Sequence, residues 1–243
     1  EGSLDTTYSV AWIDCLHSGK KLGRSLVMLG EHVTVNSLPE KYEKLPFCTP
    51  FKRKLKIRFY FPRWVLNNVS MRIFNKVYYL NGKLRKKNCV VDWDSFFYPL
   101  DSILGWNKVY GQMGFAQFQC VIPLACASDG LNELISTIVD AKIGSCLAVL
   151  KRLGKQESKF SFPMEGYTLA IDFPVNPNSL ALMDRLDHIT LKYGGRFYLA
   201  KDSRMSKDTF WKSEGRAKAY HEYRDAKGNP EAFRSSQSER LDL

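Results

Sequence analysis

Apolar and polar positions alternate most cleanly in the second half of the chain. Phe115-Ala116-Gln117-Phe118-Gln119-Cys120-Val121-Ile122-Pro123 reads as a strand ended by proline, with Gln117 and Gln119 on one face and Phe118 and Cys120 on the other. Past Ser128 or Asp129, the candidate caps, Leu131, Leu134, Ile135, Ile138 and Val139 recur at helical spacing until Gly144 stops the helix. Strands are predicted over 146–153 and 166–173, the second closed by Pro174. Another helix opens at Pro177 with Asn178 or Ser179 and carries Leu182, Leu186, Ile189 and Tyr193 on one stripe. Gly194 and Gly195 end it, and a fourth strand over 196–200 delivers Lys201 beside Asp202. The order β-α-β-β-α-β predicts an α+β fold, an antiparallel sheet with a ferredoxin-like core and its helices on one face.

The first half is less regular. A strand is predicted over 8–16, then a loop holding Pro39, Pro46 and Pro50, then an apolar strand over 55–61. Val65, Val69, Ile73 and Val77 stand four apart and predict a helix over 64–80. Residues 90–97 read as extended and 100–110 as helical. Beyond Arg204 the composition turns polar and helical, so the chain ends in a helical tail with no sheet of its own, expected to dock on another surface.

At 243 residues, with 44% hydrophobic and 13% aromatic content, the chain can bury a substantial core. The formal charge is +11 and the pI about 9.3. Bases concentrate in Lys52, Arg53, Lys54, Lys56, Arg58 and Arg63, and again in Lys83, Arg85, Lys86 and Lys87. Such runs suit solvated faces, an anionic membrane surface or a phosphorylated ligand. Without an RNP motif, zinc finger or helix-turn-helix, nucleic acid is not the expected partner. Neither a signal peptide nor a membrane-spanning run is visible, and the reading is a cytoplasmic protein with possible peripheral association at the inner membrane. Cys15, Cys48, Cys89, Cys120, Cys126 and Cys146 are scattered without a CxxC pair and read as free thiols. The four histidines lack ligand spacing, so no metal site is expected.

Gln117 and Gln119 need hydrogen-bonding partners if buried, and a ligand's hydroxyl groups would supply them. Lys151 is a lone cation in the run Leu147-Ala148-Val149-Leu150-Lys151, placed by alternation on the face of Leu147 and Val149. Lys201 follows an apolar run three residues after Tyr198, and an ammonium leaving water calls for an anionic partner. Trp12 reads either as core or as a platform beneath a sugar ring. Together Gln117, Gln119, Lys151, Tyr198 and Lys201 describe a sheet face suited to a polar, anionic ligand. No Gly-rich phosphate loop, GxSxG, HExxH or acid/base carboxylate pair accompanies them, so redox chemistry would need a cofactor bound elsewhere.

Several segments in order carry a family resemblance: Tyr8-Ser9-Val10-Ala11-Trp12-Ile13-Asp14, Leu22-Gly23-Arg24, Phe97-Tyr98-Pro99-Leu100-Asp101, Trp106-Asn107 with Tyr110-Gly111, Gly114 to Gln119 with Val121-Ile122-Pro123, Asp172-Phe173-Pro174, and the run from Gly194 to Arg204. From residue 8 to 241 the chain resembles the decaprenylphosphoryl-ribose 2′-oxidase family, bacterial FAD-linked oxidoreductases of the vanillyl-alcohol-oxidase type in arabinan precursor biosynthesis. The resemblance implies a C-terminal portion whose FAD is bound mainly by a preceding domain. Residues 1–195 would be the substrate-binding domain, and 196–243 a segment that packs on the FAD domain. It further implies that Lys201 and Tyr198 lie near flavin and substrate as catalytic and cofactor-binding residues. Gln117, Gln119, Lys151, Thr168 and Ala170 would line the substrate pocket, with Trp12 at its edge. The pocket cysteine of the mycobacterial enzymes falls at Ala170 and its asparagine neighbour at Thr168, so thiol-directed inhibition is not expected. The implied reaction oxidises the ribose 2′-hydroxyl of a polyprenylphosphoryl sugar by hydride transfer to flavin N5, and a partner keto-reductase then completes the epimerisation. The alternative, from the residues alone, is a stand-alone basic module binding a phosphorylated lipid or RNA.

Overall fold

In a computed structural model, which describes residues 5–48, 54–84, 88–145, 147–156, 160–228 and 231–243, the chain builds strands and helices in this order. They are β1 (Tyr8–Ile13), β2 (Ser25–Gly30), α1 (Glu40–Glu43), β3 (Leu55–Lys56), α2 (Asn68–Leu84), α3 (Trp93–Phe97), β4 (Ile103–Leu104) and β5 (Phe115–Pro123). Then come α4 (Ala127–Ala141), β6 (Ala148–Leu153), β7 (Gly166–Pro174), α5 (Pro177–Lys192), β8 (Arg196–Phe197), α6 (Lys207–Ser213), α7 (Ala217–Ala226) and α8 (Ser236–Leu241). Lys52, Arg53, Arg85, Lys86, Lys87 and Cys146, along with Pro50, lie outside the described residues.

The fold is α+β. Six strands form one sheet in the order β2-β1-β6-β7-β5-β8, every neighbouring pair antiparallel. The longest pairing joins β5 to β7 from Phe115 opposite Pro174 to Pro123 opposite Gly166. Strand alternation then sorts the side chains. Phe118, Cys120 and Ile122 of β5 and Leu169, Ile171 and Phe173 of β7 turn to one face. There they bury against Leu134 and Ile138 of α4 and Leu182 and Leu186 of α5. Each such aliphatic or aromatic side chain contributes about 1.5–3 kcal/mol by leaving water. Asn176 caps α5, its side chain accepting from the Ser179 N–H, with Pro177 in the first turn. The cap thus sits before the proline and not after it. α4 ends at Lys142, which takes the left-handed conformation at φ 54°, two residues short of Gly144.

Helices occupy both faces, which corrects the expectation of one. α4 and α5 cover the core face. α2 crosses the opposite face over β1 and β2, where Trp12, Asp14 and Leu26 project and need cover. The Trp12 and Tyr78 rings meet at 4.8 Å, and a Cβ on Gly82 would stand 2.3 Å from Leu26, so glycine permits this close approach. Asp14 is fully buried there. It accepts from Arg24 at 2.5 Å and from the Asn75 amide at 3.0 Å, and lies 2.9 Å from His17 Nδ1, fastening α2 to β1. A second small core forms from Leu16, Met71, Val109 and Tyr110.

The first half departs further from its pattern. The strand over 55–61 contracts to β3, paired parallel with β4. A 3-10 turn over Arg63–Leu66 precedes α2, and Asn67 accepts from the N–H groups of Val69 and Ser70 at its start. Residues 93–97 form α3, capped by Asp92, where an extended segment was expected. The helix over 100–110 divides into two 3-10 turns around β4 because Gly105, at φ 77°, reverses the chain between them. The strand over 196–200 stops at Phe197, and Leu199–Lys201 is a 3-10 turn.

The helical tail docks on the same core as the sheet. Met205, Phe210, Ala217 and Leu241 are buried in it, and the Trp211 indole donates to the Leu241 carbonyl at 2.8 Å. Arg204 grips Asp187 of α5 through two bonds of 2.7 and 2.9 Å.

Candidate functional site

The sheet face turned away from α4 and α5 is polar along its centre. Register places Gln117 opposite Asp172, Gln119 opposite Ala170, and Val121 opposite Thr168; on the other side of β7, Val149 faces Ala170 and Lys151 faces Thr168. Because alternate residues share a face, these side chains all rise from one floor. The Gln119 amide donates to Thr168 Oγ1 at 3.2 Å, and the Gln117 amide donates to the Asp172 carboxylate. Trp12, opposite Val149, stands on the same face but is only 4% exposed beneath Tyr78, so its ring serves packing rather than forming an open platform.

The rim is built by the residues after β8. The Tyr198 N–H donates to the Gln119 carbonyl at 3.0 Å, and the Lys201 N–H to the Tyr198 carbonyl at 3.0 Å, which closes the turn beside the floor. The Tyr198 ring leans on Phe162 at 4.8 Å. Behind them lies a cavity of about 170 Å³ lined by Phe160, Phe162, Arg196, Tyr198 and Phe210 together with Glu214. Arg196 and Arg216 both donate to the Ser161 carbonyl and flank the buried Glu214, fixing that wall.

α8 holds the Lys201 turn from below. The Gln237 amide donates to the carbonyls of Leu199 at 2.7 Å and Asp202 at 3.1 Å. The Asp202 carboxylate accepts from the N–H groups of Arg204 and Met205 and from the Arg240 guanidinium at 2.6 Å. Gln237 and Arg240 sit in a polar tail whose composition gave no hint of this role.

Electrostatics single out Asp172. It is 2% exposed, and burial pushes its carboxyl up to about 6, against the pull of the Gln117 amide and the nearby Lys201 ammonium. The family resemblance points to Thr168 and Ala170 as pocket residues and to Asp172 only as part of the Asp172-Phe173-Pro174 segment, although alternation places it on the same strand face two residues further on. Lys151 and Lys201 are exposed, and neither has an ion pair among the described residues. Burial pushes the Cys15 and Cys120 thiols up to about 12, which makes them inert. Among the described residues no group of three or more His, Cys, Asp or Glu stands close enough to hold a metal ion.

The floor therefore offers two amides, a hydroxyl, one buried carboxyl pushed up to about 6, and two cations without an ion pair among the described residues. Amides and hydroxyl match a polyol, and the cations match a phosphate or another anion. It contains no nucleophile paired with a base.

No family model matches the chain. Decaprenylphosphoryl-beta-D-ribose oxidase of Mycolicibacterium smegmatis is 32% identical over 242 residues, covering 98% of this chain and 51% of that protein. A Streptomyces coelicolor protein known only as an uncharacterized protein in the mprA 5′ region is 24% identical over 252 residues, covering 100% of this chain and 68% of its own. The chain thus spans about half the length of the first of these relatives. With 32% of positions shared along nearly its whole length, the chain is similar to about half of decaprenylphosphoryl-beta-D-ribose oxidase.

Proposed function

We propose that the chain is the substrate-binding portion of an FAD-dependent oxidoreductase that oxidises a sugar hydroxyl, the 2′-hydroxyl of a polyprenylphosphoryl ribose. One observation carries this reading. Gln117, Gln119, Thr168, Asp172 and Lys151 rise from a single sheet face, with Tyr198 and Lys201 on its rim. The relative's name supplies the substrate class, and the polar floor with its unpaired cations suits that class.

The flavin fits at the rim in one respect: Lys201 is exposed and without an ion pair among the described residues, beside a buried carboxyl that it influences. Lys201 and Tyr198 would meet the cofactor, and residues outside this chain would hold most of it, since no Gly-rich phosphate loop occurs in the sequence. When bound, the flavin supplies the two-electron acceptor for oxidation of the carbinol carbon. Lys201 Nζ steadies negative charge at that edge, an interaction worth about 2–4 kcal/mol. The Gln117 and Gln119 side chains orient sugar hydroxyls, and Lys151 Nζ meets the phosphate. Asp172, held by Gln117, offsets the Lys201 charge and keeps the ammonium near the floor.

In this reading residues 1–195 form the substrate domain, and 196–243 present their outer surface to the flavin domain. The order β6-β7-β5-β8, with α4 and α5 as crossovers, supports a ferredoxin-like core. The keto product would pass to a partner reductase. The test is anaerobic mixing of the full-length protein with a short-chain polyprenylphosphoryl ribose. Loss of visible flavin absorbance is the expected result; a flavin that stays oxidised with this substrate contradicts the assignment.

A further inference from the structure

From Lys44 to Val91 the sequence holds thirteen lysines and arginines and no aspartate or glutamate, against a net charge of +11 for the whole chain. The same stretch exposes large apolar side chains, among them Phe47 at 94%, Phe59 at 78% and Trp64 at 74%. α2 unites both features. Its inward side is Met71 and Asn75, both buried, and its sequence contains no acid. At 3.6 residues per turn Val69, Ile73, Val77, Leu80 and Leu84 fall on the opposite side, and each is exposed, Leu84 by 84%. Arg72, Lys76 and Lys83 form a column along one border of that stripe. The periodicity that predicts this helix therefore marks its solvent face and not its core face.

Seventeen residues give a stripe of about 25 Å. Aliphatics in a continuous outward row bordered by bases have no role in water. A bilayer interface satisfies both sets: the stripe sinks to the headgroup and acyl boundary while the bases meet lipid phosphates. A second copy of this chain would set bases against bases across the stripe, so charge favours an anionic surface over self-association.

We propose that α2, with the basic 54–61 segment whose Ile57 packs on the Met71 cluster, seats this protein on an anionic membrane surface. The inference does not depend on the flavin reading. Its failure would leave that reading intact, and the reverse also holds.

The experiment is co-sedimentation of the full-length protein with vesicles of phosphatidylcholine alone or mixed with phosphatidylglycerol. Binding to the mixed vesicles is expected, at least tenfold stronger than to the neutral ones. Arg72→Gln with Lys76→Gln and Lys83→Gln should weaken it roughly a hundredfold, about fivefold for each charge removed. Ile73→Ser with Val77→Ser and Leu84→Ser should abolish the part of the binding that survives high salt. All six side chains are exposed, so thermal transitions should match the wild type. Should a triple variant fail to fold, Lys76→Gln and Ile73→Ser alone carry the same comparison. Absent binding, equal binding to both vesicle types, or charge variants that bind like the wild type would overturn the proposal. So would a change in oligomeric mass or thermal transition on removing the stripe without any vesicle effect, which would assign it to a protein partner.

Discussion

Asp172 is the residue whose chemistry and position depend most on the assembled sheet. Its ordinary value is 3.8, and burial raises it to about 6, against the Gln117 hydrogen bond and the Lys201 charge. Between those values the folded protein holds a proton that the unfolded chain has released, so stability falls as pH rises from about 4 to 6 and levels off above. The span corresponds to about 3 kcal/mol. Asp172→Asn should flatten that part of the profile in urea denaturation, and a slope identical to the wild type between pH 4 and 6 would contradict the placement. Asp14 is buried and paired with Arg24 and Asn75. Asp14→Ala strands Arg24 and releases Asn75 of α2, for an expected loss of about 3–5 kcal/mol read from the denaturation midpoint. Gln117, Gln119 and Lys151 were legible from sequence because strand alternation has a period of two and needs no partner to be read. The partnership of Gln117 with Asp172 was not, since it spans 55 positions and depends on a register that neither strand encodes alone. Burial of Trp12 was one of the two readings its segment allowed, and what covers it was not legible, because Tyr78 reaches it from a helix that the local pattern does not orient.

At the scale of elements, α8 acts as a clamp on the turn that presents Lys201. Arg240→Ala removes a charge-assisted bond to Asp202, which should cost about 1.5–3 kcal/mol. Amide exchange should show where that loss falls. Protection is expected to drop at Lys201 and Met205 while the β7 amides remain unchanged, and uniform loss across the sheet would argue against a local clamp. The strands and helices between 115 and 192 follow their patterns within a few residues, because each buries one face against a single core. Between 55 and 110 the pattern misleads. Gly105 breaks the apparent helix, and a small separate core of Leu16, Met71, Val109 and Tyr110 draws its members from three distant segments. Val69, Ile73 and Val77 look like core spacing and face water instead.

Across the described residues, sheet, crossover helices and tail share one core, and the opposite sheet face carries the polar floor, with Thr168 and Asp172 buried in it. No helix among the described residues is long and apolar enough to cross a membrane. The antiparallel α+β architecture was legible because its strands alternate strongly; the cover supplied by α2 was not, since nothing local shows which sheet face a distant helix will choose. The most direct test of the polar face as a single working site is transient kinetics on the full-length protein with a polyprenylphosphoryl ribose. Lys201→Ala should slow flavin reduction at saturating substrate by about 10²–10³-fold with little change in substrate affinity, whereas Lys151→Ala should weaken affinity and spare the saturated rate. An unchanged single-turnover rate in Lys201→Ala would contradict the site.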